Sequence, residues 1–215
     1  MKEKKDFGGY AYDELGYPQM HEILIPLLVP GKKALDLGIG TGHTSSSVAF
    51  AGLSITGVDI NKWAINQCWE NYEDAGLEGQ LSTVCADASD FMSTLAKDNQ
   101  FDLVIMSDFL MFLPKKQGRS LIVEAYKALK SGGLLWITTK STGDYFFQEM
   151  SKGQEPVDDE TFMANSHCSG SMPFCFYFPG EIEKMLEPLG ARVLFSSETE
   201  NSAGGLFNII LIQKS

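Results

Sequence analysis

The chain has 215 residues, 44% of them hydrophobic, which is enough to close one α/β domain and short of two. Its net charge of −11 repels phosphate backbones and argues against nucleic acid as the main partner. No apolar run approaches the ~20 residues of a membrane span, Met1-Lys-Glu-Lys-Lys-Asp6 lacks a signal peptide's apolar core, and four cysteines without a C-x-x-C pair read as reduced thiols. A cytoplasmic protein without a bound metal is expected.

Residues 1–30 precede the core and read as a lid segment, helical in part over Pro18–Leu28 until Pro26 ends or kinks it. From residue 33 onward strand and helix patterns alternate. Lys33–Leu37 is an apolar strand that runs into three glycines, Gly38, Gly40 and Gly42, and then a helix closed by Gly52. Ser54–Asp59 is a second strand. Helix Asn61–Ala75 follows, with Ile65, Cys68, Trp69 and Tyr72 at i, i+3, i+4, i+7 and Gly76 past its end. Leu81–Cys85, a short helix Ser89–Ala96 and the apolar strand Phe101–Met106 come next. Helix Lys115–Leu129 leads through Ser131-Gly-Gly133 into strand Leu134–Thr139. Residues 141–178 read as a long irregular loop on the substrate side. Helix Gly180–Leu189 and strands Ala191–Phe195 and Leu206–Ile212 close the domain, 31–215. Such alternation predicts a doubly wound, mostly parallel sheet with helices on both faces, and the last two strands, with no helix between them, pair antiparallel.

Three acids fall at successive strand ends: Asp36, Asp59 and Asp87. In a doubly wound sheet these ends line one crevice. The turn Gly38-Ile39-Gly40-Thr41-Gly42 is expected to leave backbone amides bare for a ligand. Asp59, one strand-helix-strand unit after Asp36, is placed to accept both ribose hydroxyls. Asp87 is placed to accept an adenine amino group, with the Ala88 amide facing the ring and Ile60 covering it. Asp36 suits a positively charged ligand and discourages a pyrophosphate. The dinucleotide fingerprint G-x-G-x-x-G fails here, because His43 stands where its third glycine belongs. S-adenosylmethionine (SAM), with a sulfonium and an ammonium, fits the pattern.

The chain resembles the class I SAM-dependent methyltransferases in Leu35-Asp-Leu-Gly-Ile-Gly-Thr-Gly42, Val58-Asp59, Ala86-Asp87, Phe101-Asp-Leu-Val-Ile-Met-Ser-Asp108 and Leu129-Lys-Ser-Gly-Gly-Leu134, in that order. The resemblance implies a seven-stranded Rossmann-like sheet with an antiparallel last strand. A narrower stretch, Phe109-Leu-Met-Phe-Leu-Pro114 with Met172-Pro-Phe-Cys-Phe-Tyr-Phe178 and Gly180-Glu-Ile-Glu183, is similar to the tellurite-resistance methyltransferases, which act on chalcogen oxyanions. Where that family tends to carry His and Arg, Ser196–Asn208 holds neither and offers Glu198 and Glu200.

Methyl transfer from a sulfonium is an in-line displacement that needs alignment and exclusion of water more than acid–base catalysis. No catalytic dyad is evident. The acceptor, a small molecule such as a chalcogen oxyanion or other soft nucleophile, is expected above the fourth strand's end near Ser107, Asp108 and Phe112. Ser107 also borders the cofactor. Tyr17 and His21 from the N-terminal segment, and His167 and Phe174 from the long loop, are candidates to close over it. A SAM-binding scaffold without turnover is the alternative.

Overall fold

The computed structural model describes residues 6–7, 10–11, 17–95, 100–166, 170–200 and 204–215. The elements in chain order are β1 (Lys33–Leu37), α1 (His43–Phe50), β2 (Ser54–Asp59), α2 (Lys62–Asp74), β3 (Leu81–Cys85), α3 (Ala88–Thr94), β4 (Phe101–Ser107), α4 (Lys115–Ala128), β5 (Leu129–Lys140), α5 (Tyr145–Gly153), α6 (Glu181–Leu186), β6 (Ala191–Glu200) and β7 (Leu206–Lys214). Together β1 to β7 form one seven-stranded sheet in the order β6-β7-β5-β4-β1-β2-β3. The pairs from β5 through β4, β1 and β2 to β3 are parallel. β7 pairs antiparallel with both β5 and β6, so the last strand lies inside the one before it.

Period-two alternation splits the core between the sheet's two faces. Leu35, Leu37, Val104, Met106, Leu135 and Ile137 pack with Leu121, Ile122 and Tyr126 of α4 and Ile182 and Leu186 of α6. On the other face Ala34, Leu103, Ile105 and Trp136 pack with Val48 of α1, Ile65 and Tyr72 of α2, and Met20 and Leu24 of the N-terminal segment. Helices therefore cover both faces, as the alternation predicted.

Local chemistry sets the boundaries. Asn61 caps α2 by accepting from the amides of Trp63 and Ala64, and Asp87 caps α3 by accepting from those of Ser89 and Asp90. The N-terminal stretch is a π-type turn, Met20–Leu24, followed by a 3-10 turn, Ile25–Leu27, which contains Pro26. α6 stops at Leu186 and continues as the 3-10 turn Glu187–Leu189, because Pro188 has no amide to donate.

The reading of 141–178 as an irregular loop is corrected. Asp144 accepts from the Phe146 amide and starts α5, and Thr161–Ser166 pairs antiparallel with Gly170–Cys175. Phe147, Phe162 and Phe176 meet edge to face with ring centroids 5.3–6.4 Å apart and bind helix to hairpin. No described helix is long and apolar enough to cross a membrane.

Candidate active site

The glycine turn sits where β1 ends between β4 and β2. Gly38, Gly40 and Gly42 all have positive φ, at 76°, 55° and 84°, and the last caps α1. A Cβ on Gly38 would lie 2.4 Å from the Phe109 ring, whereas one on Gly40 would meet nothing within 4 Å. The expectation of bare amides is corrected. Gly38 and Ile39 donate to the Val58 carbonyl at 2.8 and 3.1 Å, Gly42 donates to Ile39 O at 2.9 Å, and Gly40 donates to Asp59 Oδ2 at 2.9 Å. What the turn offers is an open, side-chain-free floor at Gly40.

The three acids differ in their surroundings. Asp59 also accepts from the Asn61 amide at 2.8 Å, so two main-chain amides fix its carboxylate at the end of β2. Ile60, beside it, is 72% exposed and free to cover a ring. Asp87 caps α3 with Oδ1 alone, at 2.8 and 3.2 Å, and Ala88 opens the helix behind it. Asp36 is 2% exposed and lies beneath the turn, on the face of Ser45, Cys68 and Tyr72, and does not line an open crevice. Burial pushes its carboxyl up to about 7, with Asp59 adding to the rise and a Ser45 hydrogen bond opposing it.

A second polar group gathers at the ends of β4 and β5. The Tyr17 hydroxyl lies 2.7 and 2.8 Å from the two oxygens of Asp108, and Thr138 donates to Oδ1 at 2.8 Å. Ser107 Oγ lies 2.9 Å from Thr138 Oγ1, and Thr44 donates to Ser107 at 3.4 Å. Burial raises the Asp108 pKa, while Tyr17, Thr138, Lys140 and His43 pull it back. Lys140, buried, donates to Asp144 at 2.7 Å and lies 4.3 Å from the centroid of the Phe207 ring. Phe112 and Phe174 meet edge to face at 6.0 Å. His21 is half-buried in the turn Met20–Leu24, and the histidine whose charge bears on Asp108 is His43. His167 lies outside the described residues.

Residues 34–133 match the family described as "Methyltransferase domain". This stretch, just under half of the chain, is what the chain shares with that family. Squalene methyltransferase 1 of Botryococcus braunii is 32% identical to the chain over 118 residues, covering 53% of the chain and 30% of that protein. The matched stretch is thus under a third of that relative's length. Among solved structures, a SAM-dependent methyltransferase from Methanosarcina mazei superposes with a TM-score of 0.73 at 24% identity, covering 93% of the chain and 98% of the other. TehB from Haemophilus influenzae gives 0.66 at 19%, covering 93% and 63%. At these identities the two structures speak for the fold.

The fold brings predicted residues together in two places. Asp59 meets the glycine turn at Gly40, Ile60, Asp87 and Ala88 follow at the ends of the neighbouring strands β2 and β3, and Tyr17, Ser107 and Asp108 form one hydrogen-bonded cluster through Thr138. Sequence reading missed His43, Thr138 and Lys140. The polar run Thr138-Thr139-Lys140, closing an otherwise apolar strand, was the available signal for two of them.

Proposed function

We propose that the protein transfers the methyl of SAM to a small-molecule acceptor. The observation that carries this is the pairing of an open glycine floor at Gly40 with two strand-end carboxylates, Asp59 held by backbone amides and Asp87 with one oxygen not engaged by the helix cap. That donor and acceptor set fits SAM. Asp59 would hold the ribose hydroxyls, Asp87 and the Ala88 amide the adenine edge, Ile60 the adenine face, and Gly38 to Gly42 the methionine end, with Asp36 buried beneath the turn and acting on it only through its charge. When bound, SAM supplies a methyl already activated by its positive sulfur. The protein's own task is to hold the acceptor in line and keep water out, which is worth up to about 7–11 kcal/mol. Tyr17 and the described part of the insertion, 141–166 and 170–178, act as covers on the acceptor side.

A chalcogen oxyanion or another soft nucleophile is one class of acceptor, supported by the similarity of Phe109–Pro114 and Met172–Phe178. The charges favour a different one. Among the described residues the lysine that faces this cluster, Lys140, is already matched by Asp144. Calorimetry with SAM and its demethylated product, together with transfer of labelled methyl from SAM, tests the proposal. Heat of binding and label on an acceptor are expected. Binding without turnover on any acceptor would favour the scaffold reading, and no binding at all would refute both.

A further inference from the structure

Given a methyltransferase, we infer that Asp108 is the carboxylate that receives the methyl acceptor, and that the acceptor offers it an O–H or N–H group carried on an apolar body. Asp108 is the one described non-glycine residue with positive φ, at 53°. Holding a side-chain-bearing residue there costs about 1–2 kcal/mol. Its amide is held at the Thr138 carbonyl and hydroxyl, at 3.1 and 3.0 Å, which turns the carboxylate back onto β5 instead of out along the loop to Phe109.

Tyr17 shows what that carboxylate binds. One hydroxyl stands within hydrogen-bond distance of both oxygens, so a single neutral donor covers the whole carboxylate. Oδ1 keeps Thr138 as a second partner, and Oδ2 has Tyr17. A donor group on an entering molecule takes the place of the tyrosine hydroxyl. An oxyanion there would bring acceptors against acceptors, with Lys140 already committed to Asp144. The surroundings are aromatic. Phe207 lies 6.0 Å from the Tyr17 ring, and Phe146, which is 58% exposed, lies 5.7 Å from the Lys140 ammonium.

The step balances with these groups alone. The acceptor's oxygen or nitrogen lone pair forms the new bond to the methyl carbon as the carbon–sulfur bond breaks. The released pair stays on sulfur, which becomes neutral, and the heteroatom's proton passes to ionised Asp108 and then to water.

The test uses the full chain saturated with S-adenosylhomocysteine, probed by calorimetry with 2-phenylethylamine, catechol and selenite, and the same probes with labelled SAM. At least one of the first two is expected to bind and to take up label, and selenite is not. Asp108→Asn, which tolerates the left-handed backbone, is expected to lower kcat/KM by about 100-fold while S-adenosylhomocysteine binds within about three-fold of the original. Tyr17→Phe removes the competing donor and is expected to tighten probe binding by about five-fold. Binding of selenite alone, binding of none of the three, or Asp108→Asn and Tyr17→Phe variants that handle the probes like the parent would overturn the inference and leave methyl transfer standing. Loss of S-adenosylhomocysteine binding by the parent chain would instead remove the methyltransferase reading beneath it.

Discussion

Asp36 and Asp59 are two carboxylates on neighbouring strands, the first buried and the second half-buried, and each makes a prediction. Burial raises Asp36 to about 7, against an ordinary aspartate value near 3.9 in the unfolded chain. Between those values the folded state holds a proton that the unfolded state has lost, so this group's contribution to stability declines as pH rises from about 4 to about 7. Asp36→Asn should flatten that decline and stabilise the protein above pH 7 by up to about 4 kcal/mol, read as the difference between urea unfolding curves at pH 4.5 and pH 8. A bound cation favours the ionised form, so SAM should bind more tightly as pH rises through 7, an effect that Asp36→Asn abolishes in calorimetry. Asp59→Ala should weaken SAM by about 2–4 kcal/mol, since the charge-assisted hydrogen bonds proposed to hold the ribose are lost. The place of both acids at strand ends was legible from their spacing, and the burial of Asp36 beneath the turn was not. His43 and Lys140 were not, because what makes them matter is Asp108, which lies 65 and 32 residues away in the chain and meets them only through the sheet.

At the scale of the element, the glycine turn separates packing from ligand space. Gly38→Ala would drive a methyl into the Phe109 ring at positive φ, and an unfolding midpoint shift of several degrees is expected. Gly40→Ala meets open space, so its cost is the left-handed backbone alone, about 1 kcal/mol. Its methyl points where the cofactor is proposed to lie, and SAM affinity should fall by at least about tenfold while the melting temperature moves little. Gly40→Val adds a branched side chain at the same φ and should damage the turn as well. The pattern of glycines announced a turn, but not the fate of its amides. The partners of Gly38, Ile39 and Gly40, Val58 and Asp59, belong to the next strand, and local sequence carries no record of that pairing.

Across the molecule, the insertion after β5 is fastened to α4 by charge. Lys115, fully buried at the start of α4, bonds Glu160 and lies 2.8 Å from Glu181, with the Tyr177 and Phe178 rings each 5.1 Å from its ammonium. Arg119, one turn on, bridges Glu181 at 2.8 Å and Asp159 at 2.5 Å. Lys115→Met leaves two carboxylates facing each other and should cost about 3 kcal/mol, measurable by urea unfolding. The parallel half of the sheet could be read in the sequence because its short strand patterns alternate with helical ones along the chain. The insertion could not, since its order comes from rings and ion pairs contributed by segments that are distant along the chain.

The placement of β7 between β5 and β6 bears on the order in which the chain can acquire its shape. β6 emerges from the ribosome first and has no native edge to join until β7 has followed it. Until then β5 shows an unpaired row of amides and carbonyls beside apolar side chains, the kind of surface that recruits other chains. Nascent protein is therefore exposed to aggregation along this edge from the synthesis of β5 until that of β7.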